Sequence, residues 1–348
     1  MPEYMWPPQE KRRLMGKRHN RLDGPEKASG RAKYASDVKP PGMLHAVLLT
    51  SPHAHARVTA IDVSAAKASP GVTAVRVISG AGSTVQWAAR EIAIVSAATE
   101  EQARDAVRKI KVDYEVLPHL VREEDLAKAG PRVKPAGEQI VGDPDKGFRE
   151  ADVTSEGYYA IPVITHCCLE PHGQVSEWKT DNTINMWPST QNVTGIGGDL
   201  AKQLELPATQ IRVNMDHVGG GFGSKFVSDI WGVEGARLSK DSGGKPVKVF
   251  LDRATELTIG GVRPSAYAKI KLGAKRDGTI TTWQSESWAT GGIGGGGSPL
   301  LPYCFTNIAN QRKNHSAVSI NAGGVRAWRA PNHQQACYLT DCAVDDMA

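Results

Sequence analysis

Residues 219–225 read Gly-Gly-Gly-Phe-Gly-Ser-Lys, with four residues between them and a strand-like run at 211–214. Glycine loses more freedom on ordering than any other residue. Four glycines in five positions therefore persist only where the backbone must turn through positive φ or let something approach with no Cβ in the way. Successive N–H groups without side chains between them can converge on an anion. The loop is not a nucleotide P-loop, because Gly223 is followed by Ser224 and not by Lys-Ser/Thr. It is not a dinucleotide fingerprint either, since Ser224 stands where the last glycine belongs. Taken alone, it reads either as a cradle for an anion or cofactor or as a tight turn.

The sequence around the loop divides into two parts. Residues 1–20 are Pro-rich, charged and aperiodic, and read as an arm. Alternating apolar positions predict strands at 43–49 and 72–78. A third strand is expected at 91–96. Thr99 and Gln102 then form a capping box, and Ala103, Ala106, Val107 and Ile110 recur at the spacing of one helical face. A strand at 111–117 stops at Pro118, completing an expected βαβ unit within residues 21–130. Segment 131–150, rich in charge, Gly and Pro, is expected to be a linker. Further strands are expected at 153–160, 174–178, 183–187, 211–214, 247–251, 268–272 and 280–288, with helices over 198–204 and 333–347. The pattern is α+β: a small α/β domain over 21–130, followed by a larger α+β domain over 151–348.

Charge and cysteine usage exclude several classes. The net charge of +5 lies wholly in residues 1–33, where nine Lys and Arg face four Asp and Glu. The rest of the chain balances, unlike a nucleic-acid protein that spreads basic surface over a folded face. The arm reads as solvated or as a subunit-docking tail. No apolar run is long enough for a membrane span. Cys167, Cys168, Cys304, Cys337 and Cys342 are odd in number and form no C-x-x-C, so neither a disulfide framework nor a zinc ribbon is indicated. They also lack the spacing of a plant-type iron–sulfur site. No apolar leader follows the basic N-terminus, and a reducing, cytoplasmic setting is expected; export beside a signal-bearing partner would leave the same sequence. His166, Cys167, Cys168, Glu170 and His172 are close in sequence. Successive side chains diverge along an extended chain, so no metal ligated directly by protein is expected there.

Four tracts in order carry a resemblance: HCCLEPHG (166–173), WPSTQN (187–192), VGGGFGSK (218–225) and RAWRAPNHQQ (326–335). Together they resemble the molybdenum-binding subunit of the xanthine oxidase/aldehyde oxidase family of molybdenum hydroxylases. RLDGPEKASGRAKYASDV (21–38) resembles that subunit's opening, and residues 70–80 and 98–118 resemble its small α/β hammerhead domain. The resemblance implies a hammerhead domain followed by the first molybdopterin-binding domain. It implies that Gln191 hydrogen-bonds the apical oxo ligand of molybdenum. Gly220, Gly221, Phe222 and Gly223 would meet the cofactor through backbone, with Arg329 meeting it from the other side. Phe226, Arg263 and Pro331 would border the substrate. The implied cofactor is molybdopterin with molybdenum, in its cytosine dinucleotide form. The implied reaction is oxidative hydroxylation of an aldehyde or N-heterocycle with water as oxygen source, and the 2Fe-2S clusters and FAD would sit on partner subunits.

The chain also departs from the family's pattern. Phe226 stands where purine-oxidising members place a glutamate. Arg263 reads either as substrate-facing or as a structural surface arginine. Asn332 replaces the usual glycine after Ala-Pro, and the stretch from Gly80 to Trp87 is short. Family members continue past a helix like the one ending at 348, and that half carries further cofactor contacts and the general-base glutamate. The expected partners are therefore a C-terminal molybdopterin-binding subunit bearing that glutamate, an iron–sulfur subunit and a flavin subunit, with this chain inactive alone. Glu170 is a candidate base, but a buried carboxylate satisfying a loop is the preferred reading. Residues 291–297 form either a flexible loop or a close backbone approach. A non-catalytic structural subunit and an unrelated anion-binding module are the alternative functions.

Overall fold

The structure, a computed structural model, describes residues 5–124, 126–297 and 299–348. Its largest sheet has seven strands, in the order Ile211–Val213, Ile184–Pro188, Gly173–Trp178, Val247–Phe250, Leu44–Thr50, Glu91–Ala97 and Val72–Val77. This sheet draws strands from both the 21–130 and the 151–348 segments. Leu44–Thr50 runs parallel to Val247–Phe250, with Ala46 opposite Val249, and antiparallel to Glu91–Ala97. Glu91–Ala97 is buried along its whole length, and its continuous apolar run Ile92–Val95 suits a strand covered on both faces. Ile94 packs with Trp231 and Leu238 of helix Ile230–Asp241. Ala93 and Val95 pack with Ala106 and Ile110 on the other side.

The expected βαβ unit is not a single-sheet unit. Helix Glu100–Val107 is present, with its Thr99–Gln102 capping box. The strand after it, Lys111–Val116, instead joins Ala56–Asp62 and Thr84–Val85 in a separate three-stranded sheet. Its partner Ala56–Asp62 carries a register shift between Val58 and Ala60, which breaks the alternation that would have revealed it. Residues 131–150 are likewise more than a linker. They hold strand Val133–Val141, which pairs with Gln311–Val318, and helix Pro144–Glu150. That strand lies at the edge of its sheet and is exposed over most of its length, so it carries no apolar alternation to read.

The second large sheet runs Val133–Val141, Gln311–Val318, Ile280–Thr290, Ala266–Ala274, Val153–Ile161. Helix His333–Met347 covers it, setting Ala336, Leu339 and Ala343 against Tyr159, Ile270, Leu272 and Trp283. Each large apolar side chain buried there contributes about 1.5–3 kcal/mol. Asn332 precedes this helix at φ 68°, a left-handed conformation that Asn tolerates better than most residues. Asn is therefore compatible with the left-handed backbone of this position.

Two helices were poorly marked in the sequence. Val193–Leu204 starts five residues earlier than its apolar pattern suggests, because Gly195, Gly197 and Gly198 dilute the local propensity. Asn192 supplies the start: its side-chain oxygen accepts the Gly195 N–H at 3.1 Å. Ile230–Asp241 gave no signal at all. It is buried on most of its surface, and its polar stripe of Glu234, Arg237 and Asp241 is narrow, so the alternation with its apolar residues is weak.

Candidate functional site

The hairpin Gly173–Trp178 and Ile184–Pro188 delivers Ser189, Thr190 and Gln191 to the end of the seven-stranded sheet, beside the glycine loop. The Gln191 N–H donates to the Lys225 carbonyl at 2.9 Å, and the Thr190 hydroxyl donates to the same oxygen at 3.0 Å. The Gln191 side-chain carbonyl accepts the N–H groups of Gly223 at 2.7 Å and Lys225 at 3.4 Å. Two backbone donors identify that atom as oxygen, so the NH₂ end is the one left without a partner among the described residues, and the residue is exposed.

Glycine is required in the loop by space as well as by conformation. A Cβ on Gly221 would run into the Gln191 side chain. Gly223 has φ 114°, and its Cβ would meet the Ala327 carbonyl. Phe222, about half exposed, adopts φ 54°, an uncommon conformation for a bulky residue. Its carbonyl accepts the Arg329 N–H at 2.8 Å. Gln191, residues 220–223 and Arg329 are therefore brought together, and one main-chain bond ties the loop to segment 326–332.

The residues expected around the substrate are arranged less uniformly. Phe226 is 44% exposed, and its carbonyl accepts the Asn192 side-chain amide at 3.0 Å. Pro331 is exposed, two residues after Arg329. Arg263 is not a surface arginine. It is 7% exposed, its guanidinium lies 4.5 Å over the Trp328 ring, and one N–H donates to the Arg329 carbonyl at 3.4 Å. Its Nε has no partner among the described residues, and burial pulls its pKa down. Residues 291–297 make close backbone approaches. A Cβ on Gly292 would meet the carbonyls of Ala322 and Gly323, and one on Gly297 would meet the Asn332 side chain.

Further residues support the loop, one of them as expected. Glu170 is a loop-satisfying carboxylate: one oxygen accepts the Gly219 N–H and the Ser189 hydroxyl, each at 2.8 Å, and the other accepts the Ser36 N–H at 3.3 Å. Lys225 is buried, and burial pushes its pKa down. His172 and Glu256 form a buried pair at 2.9 Å, and the second His172 ring nitrogen faces the Ser224 carbonyl at 3.3 Å. Burial alone would raise the Glu256 pKa, but the His172 hydrogen bond and charge hold it below the ordinary value. Arg326 reaches both Asp229 and, at 2.9 Å, the Ser224 carbonyl. His166 stacks on Trp328 at 4.6 Å with its ring nitrogens against the Gly261 and Ala327 carbonyls. The histidines of the 166–172 cluster are thus engaged with backbone carbonyls and Glu256, Cys168 is buried and Cys167 exposed. Glu256 lies 84 residues from His172, a separation that leaves no local sequence signal.

This arrangement suits a bulky group that accepts hydrogen bonds and carries negative charge. Glycines let the loop pack directly against Gln191, Glu170 and Ala327, the Gln191 NH₂ is open, and a buried guanidinium lacks an anionic partner. Residues 128–348 match the molybdopterin cofactor-binding domain family, and residues 29–82 match the aldehyde oxidase and xanthine dehydrogenase a/b hammerhead domain. The chain is 30% identical to the aldehyde oxidoreductase molybdenum-binding subunit of Escherichia coli K12 over 98% of its own length and 49% of that protein's. It is 28% identical to the nicotinate dehydrogenase large molybdopterin subunit of Eubacterium barkeri, over 91% of this chain and 82% of the relative. Its fold superposes on CO dehydrogenase from Oligotropha carboxidovorans with a TM-score of 0.79 and 25% identity, covering 96% of this chain and 48% of that one. The chain thus spans about half the length of the Escherichia coli relative.

Proposed function

The chain belongs to the molybdopterin-binding family of the molybdenum hydroxylases, and from that premise we propose that Gln191, residues 220–223 and Arg329 form one wall of a molybdopterin site used for oxidative hydroxylation of an aldehyde or N-heterocycle, with water as oxygen source. The observation that carries the reading is the Gln191 amide, whose carbonyl is held by the loop and whose NH₂ is left open. Bound there, a molybdopterin centre supplies the two-electron oxidation that protein side chains cannot perform.

The chain's own residues bind and orient. Gln191 presents a donor whose direction is fixed before anything binds, which is what makes such a donor effective. The Gly223 and Lys225 N–H groups hold the Gln191 carbonyl, and Arg329 closes the other edge through its main chain. Phe226 and Pro331 give the substrate an apolar border, while Arg263, beside Trp328, holds the Arg329 carbonyl and offers a positive charge behind it.

We assign the rest of the system to partners. A C-terminal molybdopterin-binding half supplies the opposite wall and the general-base glutamate, and companion subunits carry the 2Fe-2S clusters and FAD. In this reading the cofactor is the cytosine dinucleotide form, the assembly is cytoplasmic, and this chain is inactive alone. The test is turnover by the assembled, molybdenum-loaded protein with an artificial electron acceptor. Oxidation of aldehydes or N-heterocycles supports the proposal, and a loaded assembly inert toward both classes contradicts it.

A further inference from the structure

Beneath the glycine loop lie three buried polar side chains that the proposed chemistry does not use. The Lys225 ammonium donates to the Ser189 hydroxyl at 2.6 Å, to the Glu170 carbonyl at 2.7 Å and to the Pro171 carbonyl at 3.4 Å. Ser189 donates onward to the Glu170 carboxylate at 2.8 Å, and the same carboxylate oxygen accepts the Gly219 N–H at 2.8 Å. A continuous path therefore joins the first residue of the loop to its last. Among the described residues Lys225 makes no direct ion pair. The serine hydroxyl, accepting from the ammonium and donating to the carboxylate, is the side chain that links the two buried charges. It is also two residues from Gln191, on the same strand exit.

We propose that Ser189 is a positioning residue: it bridges Lys225 and Glu170 into a clasp across the base of the glycine loop, and the clasp fixes the direction of the Gln191 amide. The inference rests on the reading of this loop as a cofactor cradle, but the clasp itself can be tested without cofactor. Ser189→Ala removes only the bridging hydroxyl, and Ser189→Thr keeps it.

Amide hydrogen exchange on the full chain, free of cofactor, should speed up about tenfold or more at Gly219, Gly223 and Lys225 in Ser189→Ala. Exchange in helix His333–Met347 should stay unchanged, and Ser189→Thr should restore the loop. Glu170→Gln, which keeps an acceptor for Gly219 while removing the charge, should accelerate the same three amides. Unchanged loop exchange in both variants, or equal acceleration in loop and helix, overturns the clasp. In the loaded assembly Ser189→Ala should lower kcat with KM unchanged, and should add no further loss to Gln191→Ala. Additive losses overturn the link to Gln191. A wild-type assembly without molybdenum would instead defeat the cofactor reading, while the exchange result still decides the clasp.

Discussion

The side-chain carbonyl of Gln191 accepts the Gly223 N–H at 2.7 Å, so the loop itself determines which end of the amide faces outward. A free glutamine could present either end. Here a flip would set an NH₂ against two backbone N–H groups, and the donor end is therefore the one offered to a ligand.

Gln191→Ala should leave the fold intact, because it removes a polar tip from an exposed residue. It should lower turnover of the loaded assembly by about 10²-fold, or about 2.7 kcal/mol, as expected for loss of one preorganised donor. Steady-state kinetics beside metal content checks this. Unchanged turnover at full loading would remove Gln191 from the site.

The His172–Glu256 pair should make stability depend on acid. The folded Glu256 pKa lies below its ordinary value, so the pair contributes fully above the usual carboxylate range and is lost as pH falls through the depressed folded value. Glu256→Gln should cost about 1.5–3 kcal/mol at neutral pH, since it weakens a buried hydrogen bond to a charged group. The gap in thermal midpoint between wild type and variant should narrow as pH drops below that range. A gap constant with pH would show that Glu256 carries no charge in the folded protein.

Phe226 bears on substrate choice. In the proposed site it would offer an apolar edge in place of the acceptor that the resemblance implies for purine oxidation, and each buried N–H left unpaired costs about 1–3 kcal/mol. Aromatic aldehydes or simpler heterocycles should therefore exceed xanthine in kcat/KM. A substrate panel headed by xanthine would contradict this assignment.

Much of the framework could be read from the chain because its signals are local. The Thr99 capping box, the run at Glu91–Ala97 and helix His333–Met347 each declare themselves within a few residues. The α+β class followed from these. What escaped depends on distant pairing or on uniform burial. The strand Lys111–Val116 changes sheet because Ala56–Asp62 is its partner, and helix Ile230–Asp241 is buried over most of its surface with only a narrow polar stripe to mark its period. At the site, Gln191, the glycine loop and Arg329 stand in recognisable tracts and converge. Ser189, Lys225 and the Glu256 contact acquire meaning only once loop, hairpin and helix are folded together, and Arg263 proved buried where a surface position was one of two readings.

The most direct test of the cradle is the molybdenum content of the native assembly containing this chain, measured by mass spectrometry for wild type and Gly221→Ala. The added Cβ would press on the Gln191 side chain and fill the space between loop and amide. We predict molybdenum stoichiometric with the chain in the wild type and little in the variant, with the variant's fold retained. Absence of molybdenum from the wild-type assembly, or equal loading of both proteins, would contradict the assignment of these residues to the cofactor.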